Sequence, residues 1–248
     1  MRGAGAVVAG VLSKLQELAE PGVTTAYLDS VALQMTADAG AEALFKGVRH
    51  PQGRRPFPGA ICASVNEQVV HGIPSDNAVL CEGDVLSVDF GVRLNGYCGD
   101  AAVTIPIGEI SEDKRRLVET TKSVLGIAVE QMRPGVRWSQ VAARMQQHAE
   151  AAGFSVVRDF VGHGIGTEMH EEPKVPNFVS DELLADDILL AEGMILAVEP
   201  MINAGRSAVR TLANGWTVVT RDGSCSAHFE HTIAIVKGGC EIMTTNPS

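Results

Sequence analysis

Two stretches of the chain carry the same alternation of apolar and polar residues. Residues 80–89 read LCEGDVLSVD, and residues 190–199 read LAEGMILAVE. In each, β-branched and aliphatic residues follow a glycine, which predicts a turn and then a short strand. The two strands end in Asp89 and Glu199. A carboxylate that ends an apolar strand is costly unless a cation meets it, so the pair indicates a cationic ligand shared between the two copies.

The repetition extends beyond these strands. Pro21-Gly22 recurs as Pro134-Gly135, and Ala39-Gly40 recurs as Ala152-Gly153. Each half of the chain is therefore predicted to run helix, Pro-Gly break, second helix, glycine stop and strands. Thr24 or Thr25 is expected to cap the second helix, and Ser111 the third. The predicted helices are residues 7–19, 27–39, 112–132 and 138–151.

Two hairpins are predicted among the later strands. Residues 89–91 lead through a turn at 94–96 into residues 98–105. Residues 216–220 turn at Asp222-Gly223 into residues 227–235. Nothing in the sequence divides the halves, so we expect one α+β catalytic domain over residues 1–248, with repeat halves of roughly 1–108 and 109–248. Helices are expected to flank a curved antiparallel sheet.

Composition narrows the class of protein. The net charge of -10 argues against a dedicated nucleic-acid surface, although a local basic patch such as Arg49, Arg54 and Arg55 remains compatible with it. No apolar run approaches the length of a membrane span, and no secretion signal begins the chain. Five cysteines without a CxxC pair favour a reducing compartment. We therefore expect a cytoplasmic globular protein.

Four carboxylates lie at predicted strand positions with little bulk around them. Asp89 and Asp100 lie on the two arms of the first hairpin, and Glu230 lies between His228 and Thr232. Taken singly, each acid, including Glu199, is more simply a solvated strand end or a salt-bridge partner. As a set they would repel one another unless metal ions neutralised them. Two divalent ions would balance the four charges.

Three histidines accompany these acids. His163 is flanked by glycines, which allow a backbone to approach a ligand closely. His170 and His71 occur in MHEEP and VHGIP, whereas His50, His148 and His231 are assigned to surface or core roles. The glycine spacing around His163 does not fit a dinucleotide loop. Histidine with mostly oxygen ligands suits Mn, Fe, Co or Zn, and Cys62 is expected to be a buried apolar residue.

The motifs together resemble those of the methionine aminopeptidases, which share the pita-bread fold with prolidases and creatinase. The resemblance runs from about Gly5 to Ile235. Its specific segments are Cys62-Ala-Ser-Val-Asn66-Glu67, His71-Gly-Ile-Pro74, Val88-Asp89-Phe-Gly91, Gly99-Asp100-Ala101, Gly162-His163-Gly164-Ile165-Gly166, Met169-His170-Glu171, Val198-Glu199-Pro200-Met201 and Glu230-His231-Thr232.

The resemblance implies roles for these residues. It implies that a dinuclear metal centre is held by Asp89, Asp100, His163, Glu199 and Glu230. It also implies unligated catalytic histidines at His71 and His170. The short gap from His170 to Glu199 lacks the insertion of type II enzymes, so type I is implied.

Further positions match the family less specifically. Asn66, Gln68 and Ser226 match a site for a monovalent cation, Na or K, although a plain turn explains the same residues. Phe57, Cys62 and Trp216 match the wall of the methionine side-chain pocket. The chain departs from the family at residues 48–58, which are longer, more basic and without the first aromatic residue.

The mechanism expected from these assignments is hydrolysis of the first peptide bond. A metal-activated hydroxide attacks the carbonyl of the N-terminal methionine, with a small second residue favoured. Glu199 takes the proton and passes it to the leaving amine, His170 donates to the oxyanion and His71 contacts the second residue. The expected partners are nascent polypeptides and peptides that begin with Met, with transient ribosome association and no membrane partner. A monomer is expected.

Two alternatives remain at this stage. An X-Pro dipeptidase or aminopeptidase P shares the fold and the motifs around His163 and His170, but those enzymes usually carry an additional N-terminal domain. A binding module that has lost catalysis is the other alternative. Such proteins typically lose ligands, whereas all five ligand positions are filled here.

Overall fold

The computed structural model describes residues 1–50 and 52–245. It contains five helices and fifteen strands over these residues. The helices are α1 (Arg2–Leu18), α2 (Thr25–Asp38), α3 (Glu112–Gln131), α4 (Trp138–Ala151) and α5 (Asp181–Ala185). The strands are β1 (Glu42–Ala43), β2 (Cys62–Val65), β3 (Gln68–Val70), β4 (Val85–Leu94), β5 (Tyr97–Pro106), β6 (Ser155–Val156), β7 (Gly162–Gly164), β8 (Glu171–Val175), β9 (Ile195–Val198), β10 (Met201–Asn203), β11 (Val209–Thr211), β12 (Val218–Thr220), β13 (Ser226–His228), β14 (Glu230–Val236) and β15 (Gly239–Ile242).

The helices form where the apolar spacing predicts them. α4 has the predicted bounds, whereas α1 begins five residues earlier than predicted. Thr24 caps α2 by accepting a hydrogen bond from the Tyr27 backbone N–H at 3.2 Å, and the Ser111 side chain caps α3. These caps satisfy backbone donors that have no partner within the helix.

Nine strands form one antiparallel sheet in the order β1-β4-β5-β14-β9-β7-β8, with β2 paired to β4 and β15 paired to β14. Two three-stranded sheets, β13-β10-β6 and β11-β12-β3, complete the described strands. β4 and β5 form the first predicted hairpin over their full length. The α+β arrangement with antiparallel sheet is confirmed.

The second predicted hairpin is wrong. A turn does follow β12, and Gly223 has φ 75°, but β12 pairs with β11 and β3 while β13 pairs with β10. The predicted strand 227–235 is also interrupted at Phe229. Strand spacing reports which residues alternate between faces, but it does not report which strand becomes the neighbour.

The helices cover one face of the large sheet and leave the other face to polar residues. Val88 and Phe90 are buried in a core with α1 and α2, and Leu196 and Val198 are buried in a second core with α3 and α4. Since successive strand residues point to opposite faces, Asp89 lies on the face away from the helices. No helix in the described part of the chain is both long and apolar enough to cross a membrane.

Candidate metal centre and substrate pocket

Five neighbouring strands of the large sheet each bring one predicted ligand to its polar face. The strands lie in the order β4-β5-β14-β9-β7. The residues they carry, in the same order, are Asp89, Asp100, Glu230, Glu199 (directly after β9) and His163.

The register of the strands brings these side chains together. Ala102 of β5 pairs with Asp89 on one side and with Glu230 on the other. Paired residues of an antiparallel ladder point to the same face, so the two carboxylates flank the small Ala102 side chain. Asp100 lies two residues along the same strand and therefore shares this face.

A second row of residues on the same face lies two residues along the strands, at a distance of about 6.6–6.8 Å. Asp100 pairs with Gly91 on one side, and its backbone N–H bonds the Thr232 hydroxyl on the other at 3.0 Å. Ala197 pairs with both Thr232 and His163. Small residues between the polar groups leave room for ions.

The side-chain atoms approach one another closely. Ligand atoms of Asp100, His163 and Glu230 all lie within 4.8 Å of one another. His163 Nε2 lies 3.6 Å from Glu199 Oε1. All five predicted ligands thus meet in one cluster that lines a single cavity.

The cluster is strongly acidic and buried. Asp100 and Glu230 are each 2% exposed. Burial raises the pKa of Asp100 to about 7. Burial also raises the pKa of Asp89, Glu199 and Glu230 well above their usual range, and the negative charge of Asp100 adds to each increase. The protein alone therefore does not stabilise four charges here.

Three buried oxygens in this cluster fit a cation. Asp89 Oδ1, Asp100 Oδ1 and Glu230 Oε1 have no hydrogen-bond partner among the described residues. A buried acceptor without a donor is destabilising, and a divalent cation would satisfy all three. Four carboxylates and one imidazole form a donor set suited to Mn, Fe, Co or Zn. The residues present therefore fit the implied metals.

His163 is held in the form that a metal ligand needs. Its Nδ1 lies 2.8 Å from the carbonyl oxygen of Gly164, so Nδ1 carries the proton and Nε2 keeps its lone pair. Burial lowers the pKa of His163 to about 4, so the ring is neutral at pH 7. The flanking glycines serve strand packing here, because a Cβ at Gly162 would meet the carbonyl of Ala197.

His71 and His170 line the same cavity as the acidic cluster. The His163 and His170 ring centroids are 4.4 Å apart. His71 adopts φ 57° and packs edge-on against Phe160 at 5.4 Å. Burial lowers the pKa of His71 to about 4, with a smaller effect from His170, and burial lowers the pKa of His170. Both rings are therefore neutral at pH 7 and can donate an N–H.

An apolar pocket adjoins the cluster in a cavity of about 590 Å³. Cys62 pairs with Asp89 across β2 and β4, so its thiol lies on the face that carries the acids. Burial raises the pKa of this thiol well above its usual range, consistent with an apolar role. Phe57 is 3% exposed and packs edge-on against Trp216 at 5.3 Å. The three predicted wall residues therefore meet.

The three residues matched to a monovalent cation lie close together. Ser226 donates its backbone N–H to the Asn66 carbonyl at 2.9 Å, and Gln68 follows two residues later in β3. A cation is already present beside them, because Lys114 Nζ donates to Asn66 Oδ1 at 2.8 Å.

Sequence reasoning missed several residues of this site. Asn177 is fully buried and donates to the Glu199 carbonyl at 3.1 Å, yet no spacing or motif marks it. Phe160 lines the cavity, and its position directly before Val161-Gly162-His163 is the one signal available. His228 Nε2 is buried without a partner in the described chain. Burial, and to a lesser degree His71, lowers the pKa of His228 to about 3.

The sequence matches metallopeptidase family M24 over residues 1–237. The chain belongs to this family. Membership in M24 confirms a metallopeptidase and implies the use of divalent metal, for which Asp100, His163 and Glu230 form a possible site.

Two relatives of this M24 metallopeptidase confirm the resemblance inferred from the motifs. A methionine aminopeptidase from Clostridium acetobutylicum is 48% identical over 244 residues, which cover 98% of this chain and 94% of that protein. The crystal structure of a methionine aminopeptidase from Thermotoga maritima has a TM-score of 0.92 at 41% identity and covers 99% of this chain and 95% of that one. The predicted pita-bread fold is confirmed.

A more distant M24 neighbour shares the fold alone. The Xaa-Pro dipeptidase from Bacillus anthracis aligns with a TM-score of 0.75 at 21% identity. All of this chain is covered, but only 60% of that chain. The match therefore leaves about 40% of that chain without a counterpart here.

Proposed function

We propose that this chain removes the N-terminal methionine from newly made proteins and peptides, favouring a small second residue. The observation that carries the proposal is the apolar pocket of Phe57, Cys62 and Trp216 directly beside the acidic cluster. An unbranched thioether side chain suits such a pocket, because Phe57 and Trp216 offer it aromatic surfaces. The names of the two similar proteins support the same activity.

Asp89, Asp100, His163, Glu199 and Glu230 would hold two divalent ions. The support is the unpartnered buried oxygens of Asp89, Asp100 and Glu230 and the free Nε2 of His163. When bound, these ions supply Lewis-acid polarisation of the scissile carbonyl and a lowered pKa for the attacking water. Co, Mn, Fe and Zn remain the proposed metals.

Glu199 acts as the proton carrier in this proposal. Its carboxylate faces His163 at 3.6 Å and its backbone carbonyl is fixed by Asn177. Burial raises the pKa of the Glu199 carboxyl, which suits a group that must accept a proton from water and release it to the leaving amine.

His71 and His170 act as neutral hydrogen-bond donors. His170 donates an N–H to the oxyanion that develops on the scissile carbonyl. His71 contacts the amide of the second residue and assists its departure. Their lowered pKa values keep both rings uncharged at pH 7, so neither ring repels cations held by the cluster.

Several further predictions accompany this function. Asn66, Gln68 and Ser226 would hold a monovalent cation, Na or K, mainly through backbone oxygens. Residues 1–248 would act as one catalytic domain, supported by a family match that spans both halves. Nascent chains are the proposed partners, and the transient ribosome contact, the monomeric state and the cytoplasmic location stay predictions.

The function is tested by metal reconstitution. The protein is stripped of metal, then Mn, Co, Fe or Zn is added back, and a Met-Ala-Ser peptide is compared with an Xaa-Pro dipeptide. We expect methionine release with at least one metal and no cleavage of the dipeptide. A Met-Leu-Ser peptide should be a poorer substrate than Met-Ala-Ser.

Two results would contradict this function. Cleavage of the Xaa-Pro dipeptide without methionine release would place the chain with the X-Pro enzymes. Bound metal without hydrolysis of either substrate would favour a binding module that has lost catalysis.

A further inference from the structure

A run of cations without any acid lies at the mouth of the substrate pocket. Residues 46–55 contain one lysine and three arginines and no Asp or Glu, in a chain whose net charge is -10. Val48 and Arg49 line the same cavity as the metal cluster. We call Arg49, Arg54 and Arg55 the cationic rim.

The segment that carries the cationic rim closes on itself at its base. Gly47 donates its N–H to the Phe57 carbonyl at 2.8 Å, and Phe57 donates to the Val48 carbonyl at 2.9 Å. Since Phe57 is a buried wall residue of the pocket, the base of the segment is fixed to the pocket itself.

The segment is also attached to the turn that carries Trp216. His50 Nε2 donates to the Gly215 carbonyl at 2.9 Å, and Trp216 Nε1 donates to the Arg55 carbonyl at 2.9 Å. Arg54 Nη1 donates to the Ala213 carbonyl at 3.3 Å. These contacts hold the backbone beside the pocket wall and give the rim a defined position.

The three guanidinium groups have no carboxylate partner within the described part of the chain. The ion pairs found there involve other cations, such as Arg93 with Glu42 and Glu168. All three rim arginines are exposed. Their charge is therefore available to a ligand at the mouth.

The substrate chain must pass this rim. If the first side chain fills the pocket of Phe57 and Trp216, the following residues leave through the mouth. An extended chain spans at most about 3.3–3.6 Å per residue, so the third to fifth residues lie roughly 7–14 Å beyond the first. Long arginine side chains at the mouth can reach carboxylates at that distance.

We infer that the cationic rim is a specificity determinant that favours substrates with Asp or Glu at the third to fifth residues. This inference rests on the proposed removal of N-terminal methionine. The cavity lining also carries Glu171, Glu172 and Lys174, which together leave one negative charge, and the three arginines of the rim outweigh it.

The test compares three peptides that differ only in charge: Met-Ala-Ser-Glu-Glu-Ala, Met-Ala-Ser-Gln-Gln-Ala and Met-Ala-Ser-Lys-Lys-Ala. At low salt we expect KM to rise in that order, by about five- to tenfold from first to last, while kcat changes little. One exposed ion pair contributes up to about fivefold. At high salt the difference should shrink, since exposed charges are screened.

The variant that tests the rim is Arg49→Gln, Arg54→Gln and Arg55→Gln combined. We expect its Glu-peptide and Lys-peptide KM values to converge. The matched control is Arg144→Gln, an exposed arginine on α4 outside the pocket, which should keep the selectivity of the unmodified protein. The salt dependence of the unmodified protein gives an independent measurement if the triple variant does not fold.

The outcomes separate this inference from the proposed function. Failure to release methionine from Met-Ala-Ser by any reconstituted form overturns both. Release from Met-Ala-Ser with equal KM for the charged peptides overturns only the rim. Equal KM values together with rim-dependent inhibition by a short single-stranded RNA would assign the rim to nucleic acid and overturn the inference.

Discussion

The two halves of this chain share backbone hydrogen bonds at matched positions but differ in the side chains that they bring to the cluster. In the first half, Gly22 donates its N–H to the Leu80 carbonyl at 2.8 Å. In the second half, Gly135 donates to the Leu190 carbonyl, also at 2.8 Å. Each half also buries its own helix-on-sheet core. These hydrogen bonds occupy matched positions in the two halves.

The halves diverge where the repeated strands end. β4 continues for ten residues into a long hairpin with β5, so its Asp89 lies within a strand. β9 stops after four residues, because Pro200 follows Glu199 and cannot donate to a ladder. Asp89 and Glu199 are both partly exposed, but Asp89 is paired with β2 on one side and β5 on the other, whereas Glu199 lies at a strand end. The duplication therefore yields acids in matched positions with different surroundings.

The two halves therefore contribute different groups to the candidate site. The first half supplies two fixed carboxylates, Asp89 and Asp100, together with His71. The second half supplies the remaining candidate ligands and His170, and its Glu199 lies at a strand end rather than within a strand. Neither half alone carries all five candidate ligands, so the proposed site would form only where the halves meet.

Removal of one first-half ligand should have the largest effect. We expect Asp100→Ala to lose at least one divalent ion and to lower turnover by about 10³-fold or more, since several kcal/mol of transition-state stabilisation depend on the metals. Metal analysis and peptide turnover check this. Asp113→Ala, at an exposed position in the first turn of α3, is the control. Unchanged metal stoichiometry in Asp100→Ala would refute its assignment.

The two candidate catalytic histidines come one from each half. We expect His71→Ala and His170→Ala each to lower turnover by roughly a hundredfold or more, which is typical when a proton donor is lost. Metal content should be retained in both. His148→Ala, at an exposed position on α4, is the control with normal activity. Loss of metal from either variant would mean that a ligand was mistaken for a catalyst.

The pocket wall joins the two halves, because Phe57 belongs to the first half and packs on Trp216 of the second. Phe57→Ala removes an aromatic surface that packs on Trp216. We expect KM for Met-Ala-Ser to rise by roughly tenfold or more, as is usual when contacts are lost in an apolar specificity pocket. Phe57→Leu should restore part of the affinity. An unchanged KM in steady-state assays would show that the side-chain pocket lies elsewhere.

Metal removal should reveal the repulsion between carboxylates of the two halves. Burial raises the pKa of Asp100 to about 7 and raises the pKa of Asp89, Glu199 and Glu230. Between the unfolded pKa near 4 and these folded values, the folded chain binds more protons, so its stability falls as pH rises.

We therefore expect the Tm of metal-free protein to be lower at pH 9 than at pH 7 by several degrees, at about 2–4 °C per kcal/mol. Above pH 7 the histidines with lowered pKa values are largely neutral in the folded and unfolded chain, so they do not offset this decrease. Added divalent metal should raise Tm at pH 8. The double variant Asp89→Asn with Asp100→Asn should flatten the pH dependence. A Tm of the metal-free protein that rises from pH 7 to 9 would exclude net repulsion in the cluster.

The smallest effects should come from substitutions of the glycines at matched turns, and the two losses of stability should be equal. Gly22 and Gly135 have φ 93° and 87°, and a Cβ at either position would meet open space. Gly22→Ala and Gly135→Ala should therefore each destabilise the protein by about 1–2 kcal/mol through backbone strain alone. Denaturant unfolding measures both.

Gly10→Ala, in α1 with open space around it, should instead stabilise the protein by about 0.5–1 kcal/mol. A difference between Gly22→Ala and Gly135→Ala well above about 0.5 kcal/mol, the usual spread between independent sites, would show that the two halves are not equivalent.

Local patterns in the sequence were sufficient for the helices, the glycine turns and the first hairpin. α4 has its predicted bounds, and Thr24 and Ser111 cap the helices as expected. These features depend on neighbours within a few residues. Thr24, for example, accepts a hydrogen bond from the backbone N–H three residues later. The resemblance also allowed the site residues to be named before any coordinates.

Pairing between distant strands was decided only by the tertiary structure. The second predicted hairpin failed because β12 and β13 join different sheets, and Asn177 reaches Glu199 from a segment with no signal of its own. The sequence determined which residues alternate onto the polar face of each strand, since that period is local. The register that sets Glu230 beside Ala102 arises from pairing between strands more than a hundred residues apart, which no local pattern encodes.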